Sequence, residues 1–169
     1  MHTLFLSLIS AILMGLGATF TFDLWGLLLK FAFQVAPSNI CLVGRWLRYM
    51  PAGTLRHTNI GSTPRQHGEC MIGWIAHYLI GVTFAMIFVA LAGGRWLQQP
   101  TLLPALVFGV VTVLAPFAIM QPAFGLGFAA AKTPNPTQAR VRSLLNHGAF
   151  GVGLYLFALL VKWVLPLSS

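Results

Sequence analysis

The stretch GECMIGWIAHYLIGVTFAMIFVAL, residues Gly68 to Leu91, places an acid and a histidine inside an apolar run long enough to cross a bilayer as a helix. At intervals of four along it, Glu69, Gly73, His77, Gly81 and Ala85 share one face of that helix. Ionisable groups are costly against lipid and small residues let helices approach closely, so this stripe is expected to face protein. The stretch reads as a membrane helix carrying a site, and it fixes the class of fold for the rest of the chain.

Working outward, three further apolar runs have the length of a membrane span, which needs about 20 residues. The expected architecture is all-α: one integral membrane domain over residues 1–169, a four-helix bundle with helices at about 4–33, 71–91, 102–120 and 137–165. The composition agrees, with 57% hydrophobic and 7% charged residues and a mean hydropathy of +0.82, far from the values of soluble domains. The start MHTLFLS lacks a basic segment and the apolar run after it is too long for a cleaved signal, so the first helix is expected to persist in the mature protein.

The net charge of +8 reads as topology rather than as nucleic-acid binding, because of where the basic residues fall. Lys30, Arg45, Arg48, Arg56, Arg65, Lys132, Arg140 and Arg142 flank the first-to-second and third-to-fourth connections, against Arg95 and Lys162 on the other side. Those two connections are therefore expected in the cytoplasm, with both termini and the Gly93 to Thr101 turn outside, in the inner membrane of a bacterium. Cys41 and Cys70 then lie on the reducing side and are read as free thiols.

Helix one carries Gly15, Thr19 and Asp23 on one face. Pro37 stops it, and Ser38 or Asn39 can cap a short interfacial helix at about 39–50, whose Arg45 and Arg48 suit the headgroup layer of an anionic leaflet. Residues Gly53 to Gly68 form a polar, turn-rich loop. Pro116 is expected to kink helix three, and PFAIMQPAFGLGFAAAKTPNP after it reads as irregular chain folded against the bundle, which membrane depth allows only under cover of protein or a wet cavity. Asn135 has the position of an N-cap, with Pro136 first in helix four and Gln138 three residues after the cap.

Antiparallel alternation brings Asp23, Glu69, His77, Gln121, Asn146 and His147 to the cytoplasmic half. Intramembrane polar groups point to function by default, yet Asp23 and Glu69 are the chain's two acids and can equally neutralise Arg45, Arg140 or Arg142. Asp23, Glu69, His77 and His147 also have the ligand types of a zinc or iron site, although no CxxC, HExxH or Glu-x-x-His spacing accompanies them. The GLGFAA run at Gly125 has no preceding strand and is no dinucleotide fingerprint.

Together, Asp23 on helix one, Gly44-Arg45-Trp46, GE with GWIAHY, PFAIMQPAFGLGFAAAKTPNP and His147 resemble a family of uncharacterised bacterial four-helix inner-membrane proteins, a domain of unknown function. The resemblance implies the inner-membrane location and the four-pass architecture, and brings no activity, substrate or cofactor. Three functions fit the residues. One is binding or transport of an ion, proton or small anionic solute in a polar cavity, with Arg45, Arg140 and Arg142 attracting anions. Another is an enzyme using an acid/histidine pair on a lipid-like substrate. The third is a purely structural partner subunit. Binding or transport is preferred, because no nucleophile or membrane-enzyme motif is present. The expected partners are the bilayer, anionic lipids at the cytoplasmic face and a second copy in a homodimer, with no nucleic acid; a metal ion is the one cofactor the residues suggest.

Overall fold

The computed structural model describes residues 2–165, with side chains from residue 5 onward. Among the described residues the regular structure is all helical: α1 (His2–Phe33), α2 (Cys41–Tyr49), α3 (Glu69–Gln98), α4 (Leu102–Val111), a single turn α5 (Gln121–Ala123) and α6 (Pro136–Val164). Among the described residues, four segments are long and apolar enough to cross a membrane: Phe5–Phe33, Glu69–Gln98, Leu102–Ala123 and Pro136–Val164. Their outward surfaces carry large apolar side chains such as Leu24, Ile75, Leu103 and Leu160. In water that surface would be strongly unfavourable; against lipid tails it is matched.

Two compact units make up the described chain, one of residues 2–37, 78–111 and 145–165, the other of residues 38–77 and 112–144. In the first, α1 and the later part of α3 run antiparallel in close register. A Cβ on Gly15 would lie 2.5 Å from the Val82 Cα, and one on Gly81 would meet the Thr19 side chain. The α4–α6 contact is also close, with the Gly109 Cβ position 2.4 Å from the Gly151 Cα. Small residues at these crossings let backbones touch where larger side chains would hold them apart. Met14, Ala85, Phe88, Phe150 and Leu154 fill the core between the helices.

The second unit is not a bundle. α2 crosses the start of α3 so closely that a Cβ on Gly44 or on Gly73 would collide with the Glu69 or Ile40 carbonyl. Asn39, rather than Ser38, serves the start of α2, its Oδ1 accepting the Cys41 N–H at 3.2 Å. The connection after α2 is pinned rather than loose. His57 and Ile60 donate their N–H groups to the Ala123 and Phe124 carbonyls at 2.8 and 3.1 Å, and Ile60 is buried with Val43, Ala123 and Phe124. Trp46 Nε1 donates to the Leu55 carbonyl and the Tyr49 hydroxyl to that of Pro64.

Pro116, expected to kink helix three, opens a π-helical turn over Pro116–Met120. The proline lacks an N–H and cannot continue an α-helical ladder, so the chain takes a wider turn there. The segment after it is irregular as expected, with Ala129 and Ala130 at φ of 46° and 59°. Asn135 caps α6 through the Gln138 N–H at 3.3 Å. One expectation fails: Cys41 and Cys70 are not free thiols but form a disulfide. Hydropathy and charge place a cysteine in depth and compartment, whereas the α2–α3 crossing decides which sulfur meets which.

Candidate functional site

The stripe on α3 faces inward: Glu69, Gly73, Gly81 and Ala85 are buried and His77 is half-buried, while Trp74, Ile75 and Leu79 on the other faces are exposed. Its first member meets Arg45. The guanidinium makes a two-pronged contact with the Glu69 carboxylate, Nε to Oε2 at 2.8 Å and Nη2 to Oε1 at 2.7 Å. Its Nη1 donates to the carbonyls of Ile60 at 3.0 Å and Thr63 at 2.9 Å. Glu69 Oε2 also accepts the Gln66 N–H at 2.8 Å. Both side chains are almost wholly buried, at 6% and 8% exposure. The hydrogen-bonded carboxylate raises the affinity of Arg45 for its proton, outweighing the opposing effect of burial.

Arg45 thus serves as a clamp joining α2, α3 and the connecting loop, and it is spent on an internal acid instead of facing an incoming anion. Of the two readings open for Glu69, neutralisation of an arginine is the one realised, and Arg45 is its partner. Arg140 is likewise engaged locally, its Nε donating to the Ala129 carbonyl at 2.8 Å and holding the backbone where φ is positive. The second unit contains no acid besides Glu69, so Arg48, Arg56, Arg65, Lys132, Arg140 and Arg142 make its remaining charge wholly positive. Gln121 is buried there with its Oε1 unpartnered, as is the Nε2 of His57, while His77 lies edge-on to Trp74 at 5.8 Å.

In the first unit, Asp23 accepts a hydrogen bond from the Tyr78 hydroxyl at 3.1 Å. The α1–α3 register that sets Gly15 against Val82 and Thr19 against Gly81 carries Asp23 to Tyr78. His147 packs edge-on against Phe22, the residue before Asp23, with ring centroids 5.8 Å apart. Asn146 is buried and its Oδ1 lacks a partner. An apolar groove of about 540 Å³, lined by Leu13, Gly17, Phe20, Tyr78, Phe157 and Leu160, lies on the same unit. Its lining suits a hydrocarbon chain.

Among the described residues no three His, Cys, Asp or Glu side chains gather as a metal site requires. Of the residues with metal-ligand chemistry, Glu69 has both carboxylate oxygens engaged by Arg45. Sequence reasoning missed Tyr78 and the disulfide. Tyr78 is adjacent to the His77 stripe, but nothing in its spacing marks Asp23 as its partner.

The fold and these contacts define, among the described residues, an all-α protein with four segments of membrane-spanning length and composition. The chain belongs to the family described as "Protein of unknown function (DUF2938)", whose sequence model matches residues 12–161. No curated protein and no solved structure matches it.

Proposed function

We propose that the chain is a multi-pass protein of the bacterial inner membrane, with its termini and the α3–α4 turn outside, that binds an anionic group on its cytoplasmic side. The ligand is a small anionic solute or the headgroup of an anionic lipid, which share the chemistry of a phosphate or carboxylate. One observation carries this reading: Arg45 and Glu69 neutralise each other in a buried pair, so the rest of the second unit presents only positive charge. A set of like charges without internal acids draws anions, and each Lys or Arg near an anionic surface contributes about 1 kcal/mol. Passage of an ion or proton across the membrane would add Asp23, His77 and His147 as polar groups in the spans. With four spans per chain it would use two copies, a homodimer.

The test uses full-length protein in detergent, offered phosphatidylglycerol, phosphatidylcholine or inorganic phosphate and followed by native mass spectrometry. Preferential, salt-sensitive retention of phosphatidylglycerol supports headgroup binding, and competition by inorganic phosphate alone supports a soluble anion. The exposed pair changed to Arg56→Gln/Arg65→Gln should weaken binding about thirtyfold, at about 1 kcal/mol per charge. Equal retention of the zwitterionic lipid, with no effect of phosphate, rules the reading out.

A further inference from the structure

We infer that the Cys41–Cys70 disulfide is a reversible exchange site that accepts two electrons from the dithiol of a cytoplasmic partner protein. The inference rests on the orientation given under the proposed function and is independent of anion binding. The bond joins Cys41, the first residue of α2, to Cys70, the second residue of α3, across 29 positions of sequence. The distribution of arginines and lysines puts that region in the cytoplasm, where disulfides are commonly transient and catalytic or sensing rather than structural.

The surroundings of the bond fit that use. α2 and α3 are held together without it, by the Gly44 and Gly73 backbone contacts and by the buried Arg45–Glu69 fork. Two thiols left by reduction therefore stay side by side and able to close again. Access is one-sided as well, since Cys70 is exposed and Cys41 half-buried. An incoming thiolate reaches the Cys70 Sγ, the S–S bond breaks, and Cys41 departs as a thiolate. That thiolate sits in the first turn of a nine-residue helix, where the positive end of the helix dipole favours negative charge. The partner's second thiolate then attacks its own sulfur in the mixed disulfide and expels Cys70. The partner leaves as a disulfide, and the two protons its thiols lost end on Cys41 and Cys70. One disulfide and two thiols enter and leave, so no external oxidant is consumed; a small disulfide such as glutathione disulfide reverses the step.

The test equilibrates inside-out membrane vesicles containing the full-length chain, their cytoplasmic face outermost, with reduced and oxidised glutathione at cytosolic poise and counts free thiols by the mass shift of a maleimide polymer. Both cysteines should become reactive, and the bond should re-form when glutathione disulfide is added. Cys41→Ser should capture glutathione on Cys70 as a mixed disulfide, a product lost in Cys70→Ser. Thermal melting of the reduced chain should remain cooperative and near that of the oxidised chain. A bond that resists glutathione at that poise, or a reduced chain that loses its cooperative melt, overturns the inference in favour of a structural staple. Trypsin added outside sealed right-side-out vesicles gives the compartment directly. Cleavage at Arg56 or Arg65 would put the disulfide on the oxidising side and overturn the inference through its orientation, while leaving the phosphatidylglycerol measurement to judge anion binding separately.

Discussion

At the scale of single residues, the Arg45–Glu69 pair is the interaction whose loss is most costly. Each partner has given up water for the other and for backbone groups, so removing one leaves the other charged, buried and uncompensated. Glu69→Gln should lower stability by about 3–5 kcal/mol, against about 0.5 kcal/mol or less for the exposed Arg56→Gln. Denaturant unfolding in detergent, read by tryptophan fluorescence, checks this; similar small losses for both would show that the pair is not buried in the native protein. Replacing both Arg45 and Glu69 by leucine should recover part of the loss, because it removes the stranded charge. Ala129 gives a prediction of opposite sign. Its φ of 46° costs an L-residue about 1–2 kcal/mol, more than the roughly 0.5–1 kcal/mol that glycine adds in unfolded-state freedom. Ala129→Gly should therefore be neutral to stabilising, and a lowered melting temperature would show that the alanine methyl does more than fill its buried position.

Between helices, the relevant variable is the distance at which backbones can meet. Gly109 and Gly148 are both flanked by helix and differ in what a methyl group would find. At Gly109 it would meet the α6 backbone 2.4 Å away, and at Gly148 nothing within 4 Å. Gly109→Ala should cost about 1–3 kcal/mol by forcing α4 and α6 apart, and Gly148→Ala should gain about 0.5–1 kcal/mol from the better helix former. Parallel melts of the two variants test the pair, and a harmless Gly109→Ala would mean that the α4–α6 crossing is looser than described. The same reasoning explains the π-turn at Pro116. The wide turn accommodates a residue without an N–H just before the chain leaves the span, which aims α5 and the irregular segment at the loop they pair with.

For the whole molecule, the outcome to measure is orientation. With all native cysteines replaced by serine, a cysteine at Gln98 should react with an impermeant maleimide from outside intact cells, and one at Ser62 only after lysis. The reverse pattern would place the cationic unit outside and turn every argument from cytoplasmic charge around. Alkaline carbonate should leave the chain in the membrane pellet, as expected of four apolar spans.

What the sequence by itself determined follows from properties that are local sums. Mean hydropathy over about 20 residues marks the spans, a four-residue interval marks the inward stripe of Glu69, Gly73, Gly81 and Ala85, and Asn135-Pro136 marks the start of α6, all without knowledge of a partner. The irregular run after Pro116 was legible for the same reason, since its prolines and glycines act on their own backbone. Which groups meet was decided only by tertiary structure. Arg45 reaches Glu69 across 24 positions, Cys41 reaches Cys70 across 29 and Tyr78 reaches Asp23 across 55. Each of these pairings depends on the rotation and register of two segments about one another, set by glycine contacts and side-chain packing at their crossing. A shift of one residue turns a helical side chain by about 100°, and no local pattern in either segment carries that angle.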